Sequence, residues 1–268
     1  MHEYEVRRFR FTKNDLTDVP EDQLRFLLFS AKLLNELNML QRLSFIQSNS
    51  LGPQRDHPAE PERAEQECQT AQIMYLLKLL ASTIWEGWSG LQRVYFSGAW
   101  SKTHGMALDQ RAANALQELK SDLSQQSILS TIRNKASFHL DAEFLMAEFI
   151  RMDNSHSLSA VVASDYANTL FSFAEEISGR AVLAEVSESP VSPENMDQLL
   201  LKILHLSKRF SEFLSGAILV TLKQHAPGAL TIESSEKLKL EDRPSIYEID
   251  MPYLVRPRSS PRYGTARS

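Results

Sequence analysis

The stretch "IMYLLKLLASTIWEGWSGLQRVY" (residues 73–95) decides the fold class. Its apolar side chains recur every three or four residues, which places them on one face of an α-helix. The spacing predicts a long helix over about residues 62–96, whose apolar face neighbouring helices must cover. The predicted buried stripe consists of Ile73, Leu76, Leu77, Leu80, Ile84, Trp88, Leu91 and Tyr95.

The same periodicity predicts five further helices on either side of this stretch. They cover about residues 21–47, 108–123, 124–151, 174–186 and 193–225. In the first of them, the predicted core side is Leu24, Leu27, Leu28, Ala31 and Leu34. In the last, it is Leu199, Ile203, Leu206, Phe210, Phe213 and Leu214.

The remaining segments are predicted to be a loop or linker, a β-hairpin and a disordered tail. Residues 48–66 are polar and contain three prolines, which indicates a loop or linker. Two β-favouring runs predict a small β-hairpin at 158–173. Residues 231–268 are polar and rich in Pro, Ser and Arg, which predicts disorder. We therefore expect an all-α protein: one helical-bundle domain over 1–230 with a hairpin insertion, followed by a disordered tail over 231–268.

Composition narrows the class of protein further. The 268 residues contain no apolar run of the roughly 20 residues that a membrane span needs, and the charged N-terminus does not resemble a signal peptide. A single cysteine, Cys68, excludes an intrachain disulfide and indicates the cytoplasm; we interpret it as a structural residue. The net charge of −5 argues against a surface coated with nucleic acid but leaves a local phosphate site open. Two groups are basic: Arg7, Arg8, Arg10 and Lys13, and Arg256, Arg258, Arg262 and Arg267.

One segment, "STIRNKASFHLD" (residues 130–141), carries polar groups beside an apolar stripe. On a continuous helix, Arg133 and His139 flank this stripe and are separated by about 9 Å of rise and about 120° of rotation. Phe138 and Leu145 form a second apolar patch. The predicted stripe itself is Leu129, Ile132, Ala136, Leu140, Phe144 and Ala147.

Arg133 and Asn134, followed by four residues and then His139, resemble the motif of the HEPN superfamily (higher eukaryotes and prokaryotes nucleotide-binding). The resemblance covers this motif and the helical architecture. It implies a HEPN-like bundle and a metal-independent endoribonuclease that needs no cofactor and leaves a 2′,3′-cyclic phosphate end. It also implies a role as a toxin or phage-defence component, with RNA as substrate and an antitoxin protein as a possible partner. Arg133, Asn134 and His139 are then the catalytic residues.

The residue types suit this chemistry. Histidine has the side-chain pKa best matched to proton transfer near neutral pH, and the arginine fork holds two phosphate oxygens. Because Arg133 and His139 lie too far apart on one helix to grip one phosphate, we expect a homodimer with Phe138 and Leu145 at the contact. Glu143, four residues after His139, either orients the imidazole or is an ordinary solvated acid.

Other interpretations stay open from the sequence. Trp85, Glu86 and Trp88 suggest a base-stacking site, although tryptophans at this spacing are more often core residues. His104 lacks a partner at metal-ligand spacing. The alternative function is a catalytically inactive HEPN-like module that binds a protein or nucleic acid, and a third hypothesis is an unrelated bundle with a chance motif.

Overall fold

Helices dominate the structure, a computed structural model that describes residues 6–50, 59–124, 128–137, 141–163, 168–186, 193–231, 236–238 and 243–255. The all-α class is confirmed. Eight α-helices lie within these ranges: α1 Glu21–Ser50, α2 Glu60–Leu91, α3 Trp100–His104, α4 Gln110–Leu123, α5 Ile128–Thr131, α6 Ala142–Arg151, α7 Ser172–Val186 and α8 Pro193–His225. Two π-helical turns extend α2 and α5, at Gln92–Phe96 and Ile132–Ser137.

The bundle is built around α8, which packs against α4 and α1, and around α2, which packs against α1 and α7. The apolar stripe predicted on α8 is buried at all six positions. At Gly216 the two helices α8 and α4 approach closely, since an added Cβ would lie 2.5 Å from the Cβ of Ala112. On α2, the predicted stripe is buried except at Ile73, which is partly exposed.

The core side predicted for α1 is confirmed only in part, since Leu27 is buried as predicted. Leu28 is 59% exposed, whereas Phe26, Leu33 and Leu37 are buried. Helix α1 contacts both α2 and α8, so two of its faces are covered rather than one. Since apolar residues occur all around this helix, periodicity alone could not identify the buried faces.

The structure does not support the predicted β-hairpin at 158–173. Within the described residues of this segment, Val161 and Leu170 form a single antiparallel bridge, and residues 164–167 lie outside the description. A short antiparallel pair occurs elsewhere, between β1 (Val6–Arg8) and β2 (Glu236–Leu238). This pair joins segments near the two ends of the chain, which local pattern reading cannot foresee.

Part of the segment predicted to be a disordered tail packs on the bundle. Asn49 Nδ2 at the end of α1 donates a hydrogen bond of 2.8 Å to the carbonyl oxygen of Ile246. The backbone N–H of Tyr253 donates a 2.7 Å bond to Glu65 Oε1 on α2. Residues 243–255 are therefore anchored at several points, while 256–268, with the C-terminal arginines, lie outside the described residues.

A partly buried charge pair joins α2 to α7. The side chain of Lys78 is 9% exposed, and its Nζ donates a 2.6 Å hydrogen bond to Glu175 Oε2. Nζ also lies 3.3 Å from Ser178 Oγ. The backbone carbonyl of Lys78 accepts a 3.1 Å bond from Ser137 Oγ, so this part of α2 also contacts the second π-helical turn.

Replacing Glu175 with leucine is expected to lower the free energy of unfolding by about 2 kcal/mol, because it leaves the Lys78 ammonium desolvated without its carboxylate. Adding Lys78→Met to the same chain should restore most of the loss, since two apolar side chains then face each other. Urea unfolding followed by circular dichroism measures both. Equal stability of Glu175→Leu and the wild type would contradict this account of the pair.

Candidate functional site

The motif segment begins on the second π-helical turn, directly after α5. Ile132 and Ala136 are buried against the core and fix this turn on α2. Arg133 and Asn134 point outward, with Arg133 partly exposed and Asn134 exposed. π-Helical turns are rare and often occur at functional sites. Here the buried side of the turn packs on α2, and its outer side exposes Arg133 and Asn134 to solvent.

Glu86 and Asn134 both bond to the side chain of Arg133. Its Nε donates a 2.6 Å hydrogen bond to Glu86 Oε1 on α2, and its Nη1 donates a 2.8 Å bond to Asn134 Oδ1. The Arg133 side chain is 31% exposed and that of Glu86 is 47% exposed. These bonds orient the guanidinium, which is partly exposed at the surface.

The predicted continuous helix over residues 124–151 is wrong. After the π-helical turn, a separate helix, α6, begins at Ala142. The residue before it, Asp141, has an extended backbone (φ −86°, ψ 100°). Asp141 Oδ1 accepts hydrogen bonds from the N–H groups of Glu143 and Phe144, as an N-cap does. His139 lies before this restart and outside the described residues, so its separation from Arg133 stays a prediction.

The restart of the helix changes which residues of α6 face the core. Phe144 is buried as predicted, but Ala147 is exposed and Glu148 is buried. Leu145, expected at a dimer contact, is partly buried against the protein's own core. Glu143 is exposed in the first turn of α6, on a different element from Arg133. Phe138, His139 and Leu140 lie outside the described residues.

A groove runs along α1 and α2 and includes Glu86, the partner of Arg133. Its volume is about 620 Å³, and its walls include Phe29 and Leu40. Arg93, exposed on the first π-helical turn, lines the same groove, as does Lys32, which pairs with Glu36. Local sequence patterns did not identify this groove, because its residues come from two separate helices.

Helix α6 carries an apolar face that sequence analysis also missed. Met146, Phe149 and Ile150 are 52%, 49% and 71% exposed. Their spacing of three and four residues places them on one side of the helix. The spacing was present in the sequence, but helical periodicity does not show which of several apolar faces the rest of the chain leaves uncovered. This face lies on the helix that directly follows the motif.

The other candidates have structural roles. Trp88 is buried and Trp85 packs against the core, which confirms the core interpretation of this pair. His104 is buried at the end of α3, and its Nε2 lies 3.1 Å from Gln23 Oε1; burial, followed by the nearby His225, lowers its pKa. Burial raises the pKa of the Cys68 thiol to about 11, with help from Glu65 and Glu67. Among the described residues, no three His, Cys, Asp or Glu side chains are grouped closely enough to bind a metal ion.

No family model, curated protein or solved structure matches this chain. Within the ranges that the structure describes, no helix combines the length and apolar character needed to cross a membrane.

Proposed function

We propose that this protein is a metal-independent endoribonuclease of the HEPN type, with its site at Arg133, Asn134 and His139. The observation that carries the proposal is the orientation of Arg133 at the surface by Glu86 and Asn134. A pre-oriented guanidinium stabilises charge that develops on a phosphate without the cost of reorganising during the reaction. The HEPN-like identity of the bundle is part of this proposal.

The reaction needs one base, one acid and one fixed cation. His139 accepts the proton of the ribose 2′-OH, the 2′ oxygen attacks phosphorus, and the bond from phosphorus to the 5′ oxygen breaks. The departing 5′ oxygen takes up a proton from a second imidazole, that of a second copy of the chain. Arg133 binds the non-bridging phosphate oxygens. The products are a 2′,3′-cyclic phosphate and a 5′-hydroxyl.

The groove next to Glu86 supports RNA as the substrate. Arg93 has no ion pair within the described part of the chain, so its charge is available for a phosphate. Phe29 and Leu40 offer apolar surface on which a base can lie. The segment that binds RNA would then run from the motif along α1 and α2.

The exposed face of α6 supports the homodimer. A second copy packed on Met146, Phe149 and Ile150 would cover apolar surface that α6 leaves in water. It would also bring two motif segments to one interface, because α6 follows the motif directly. This proposal replaces Leu145, which packs inward, as the contact residue.

Replacing Arg133 with lysine is expected to slow RNA cleavage about 100-fold, because lysine keeps the charge but loses the planar fork that grips phosphate. The measurement is the cleavage rate of a labelled RNA in EDTA. Arg25→Lys is the matched control, since Arg25 is an exposed arginine that pairs with Glu21 on α1, away from the motif and α6. Equal rates for Arg133→Lys and the wild type would contradict the proposed role of Arg133.

One observation favours a second function. The Arg133 guanidinium is already engaged by the Glu86 carboxylate, an arrangement that also suits a purely structural ion pair. In that case the protein is a catalytically inactive HEPN-like module that binds a partner. RNA bound without cleavage by wild-type protein would favour this alternative. A toxin or phage-defence role, an antitoxin partner and a cytoplasmic location stay predictions from sequence.

A further inference from the structure

A second cleft lies between α1, α2 and α8, on a part of the surface that shares no lining residue with the groove at Glu86. Its volume is about 620 Å³, within the usual range for small-molecule sites. Most of its walls are apolar. They are formed by Phe45, Ile73, Leu77, Leu200, Leu204 and Ile246.

One side of this cleft is closed by the chain near its C-terminus. Ile246 begins the short 3₁₀ turn Ile246–Glu248, which Ser245 and Glu248 cap reciprocally. Asn49 holds the Ile246 carbonyl, and the ring of Tyr247 contacts Phe45 edge-on at 5.2 Å between centroids. The cleft is therefore a formed feature of the fold with an ordered wall.

Two polar groups of the cleft lack partners among the described residues. Ser44 is only 7% exposed, and its buried hydroxyl makes no hydrogen bond. Arg42, exposed at the rim, makes no ion pair. By contrast, Gln41 donates to Ser207 and Ser48 to the Phe45 carbonyl. Of the two, Arg42 is the group that a ligand in the cleft can reach, because the Ser44 oxygen has almost no accessible surface.

We propose that this cleft binds a medium-chain fatty carboxylate. The alkyl chain lies along the apolar walls, where it is removed from water. The carboxylate supplies the charge complementary to Arg42. This site is independent of the proposed ribonuclease activity, so either proposal can fail without the other.

Decanoate, titrated below its micelle concentration into the full chain in a calorimeter, tests the proposal. We expect saturable binding at one site. Arg42→Gln should weaken it about tenfold or more, because a charge-assisted hydrogen bond is lost. Arg25→Gln, on the same helix but paired with Glu21 away from the cleft, should bind as the wild type does. Decanol should bind wild type and Arg42→Gln equally.

A second variant fills the cleft. Leu204→Trp places a larger side chain at a lining position and should abolish binding, whereas Leu201→Trp, at a more exposed position on α8 outside the lining, should not. Light scattering tests the other occupant, a second copy of the chain. No decanoate binding by wild type, unchanged binding by Arg42→Gln, or a dimer that dissociates in Leu204→Trp would each overturn the proposal.

Discussion

Replacing Trp100 with alanine is expected to lower the free energy of unfolding by about 3–5 kcal/mol. Trp100 is fully buried, and its ring packs against Phe26 and Tyr95 at centroid distances of 4.8 and 5.5 Å. Its Nε1 also donates a 2.9 Å hydrogen bond to Thr221 Oγ1 on α8. The substitution therefore removes a large apolar contact and leaves a buried hydroxyl without its donor.

Urea unfolding monitored by circular dichroism measures this loss. Trp85→Ala is the matched control, because Trp85 is only partly buried and should cost clearly less. A loss below about 1 kcal/mol for Trp100→Ala, smaller than typical for a deleted core side chain, would contradict the packing described for α3.

Replacing His139 with alanine is expected to slow RNA cleavage by about 10²–10⁴-fold, the usual contribution of a general acid or base. The effect should be at least as large as that expected for Arg133→Lys, since alanine removes the group that transfers the proton. The measurement is single-turnover cleavage of a labelled RNA in EDTA at pH 7.

His156→Ala is the matched control, because His156 is a surface histidine that pairs with Glu176. The wild type and both variants should unfold at similar urea concentrations, which separates lost chemistry from lost folding. Equal cleavage rates for His139→Ala and His156→Ala would contradict a catalytic role for His139.

Sequence patterns identified the long helices well, because their apolar periodicity is strong. The predicted bounds of the first and last long helices lie close to Glu21–Ser50 and Pro193–His225. The pattern did not reveal α3, since "FSGAWSKTHGM" reads as a helix break. Trp100 is nonetheless a central core residue, because tertiary contacts with α1 and α8 outweigh the weak local helix signal.

The candidate site was predicted only in part. The motif residues could be chosen from their spacing, but the restart of the helix at Asp141 could not, because capping competes with an apolar pattern that continues across it. Glu86, 47 residues before Arg133, is brought to it by the packing of the π-helical turn on α2. Such a contact carries no local sequence signal.

The central claim is that this chain cleaves RNA through the ribose 2′-OH without a metal ion. Mass spectrometry of the fragments that wild-type protein produces from an RNA oligonucleotide in EDTA tests it most directly. We predict fragments that end in a 2′,3′-cyclic phosphate, and no cleavage where the preceding ribose is replaced by 2′-deoxyribose. An RNA left intact would contradict the claim. So would cleavage of the RNA and of its 2′-deoxyribose variant to fragments that end in a 3′-hydroxyl.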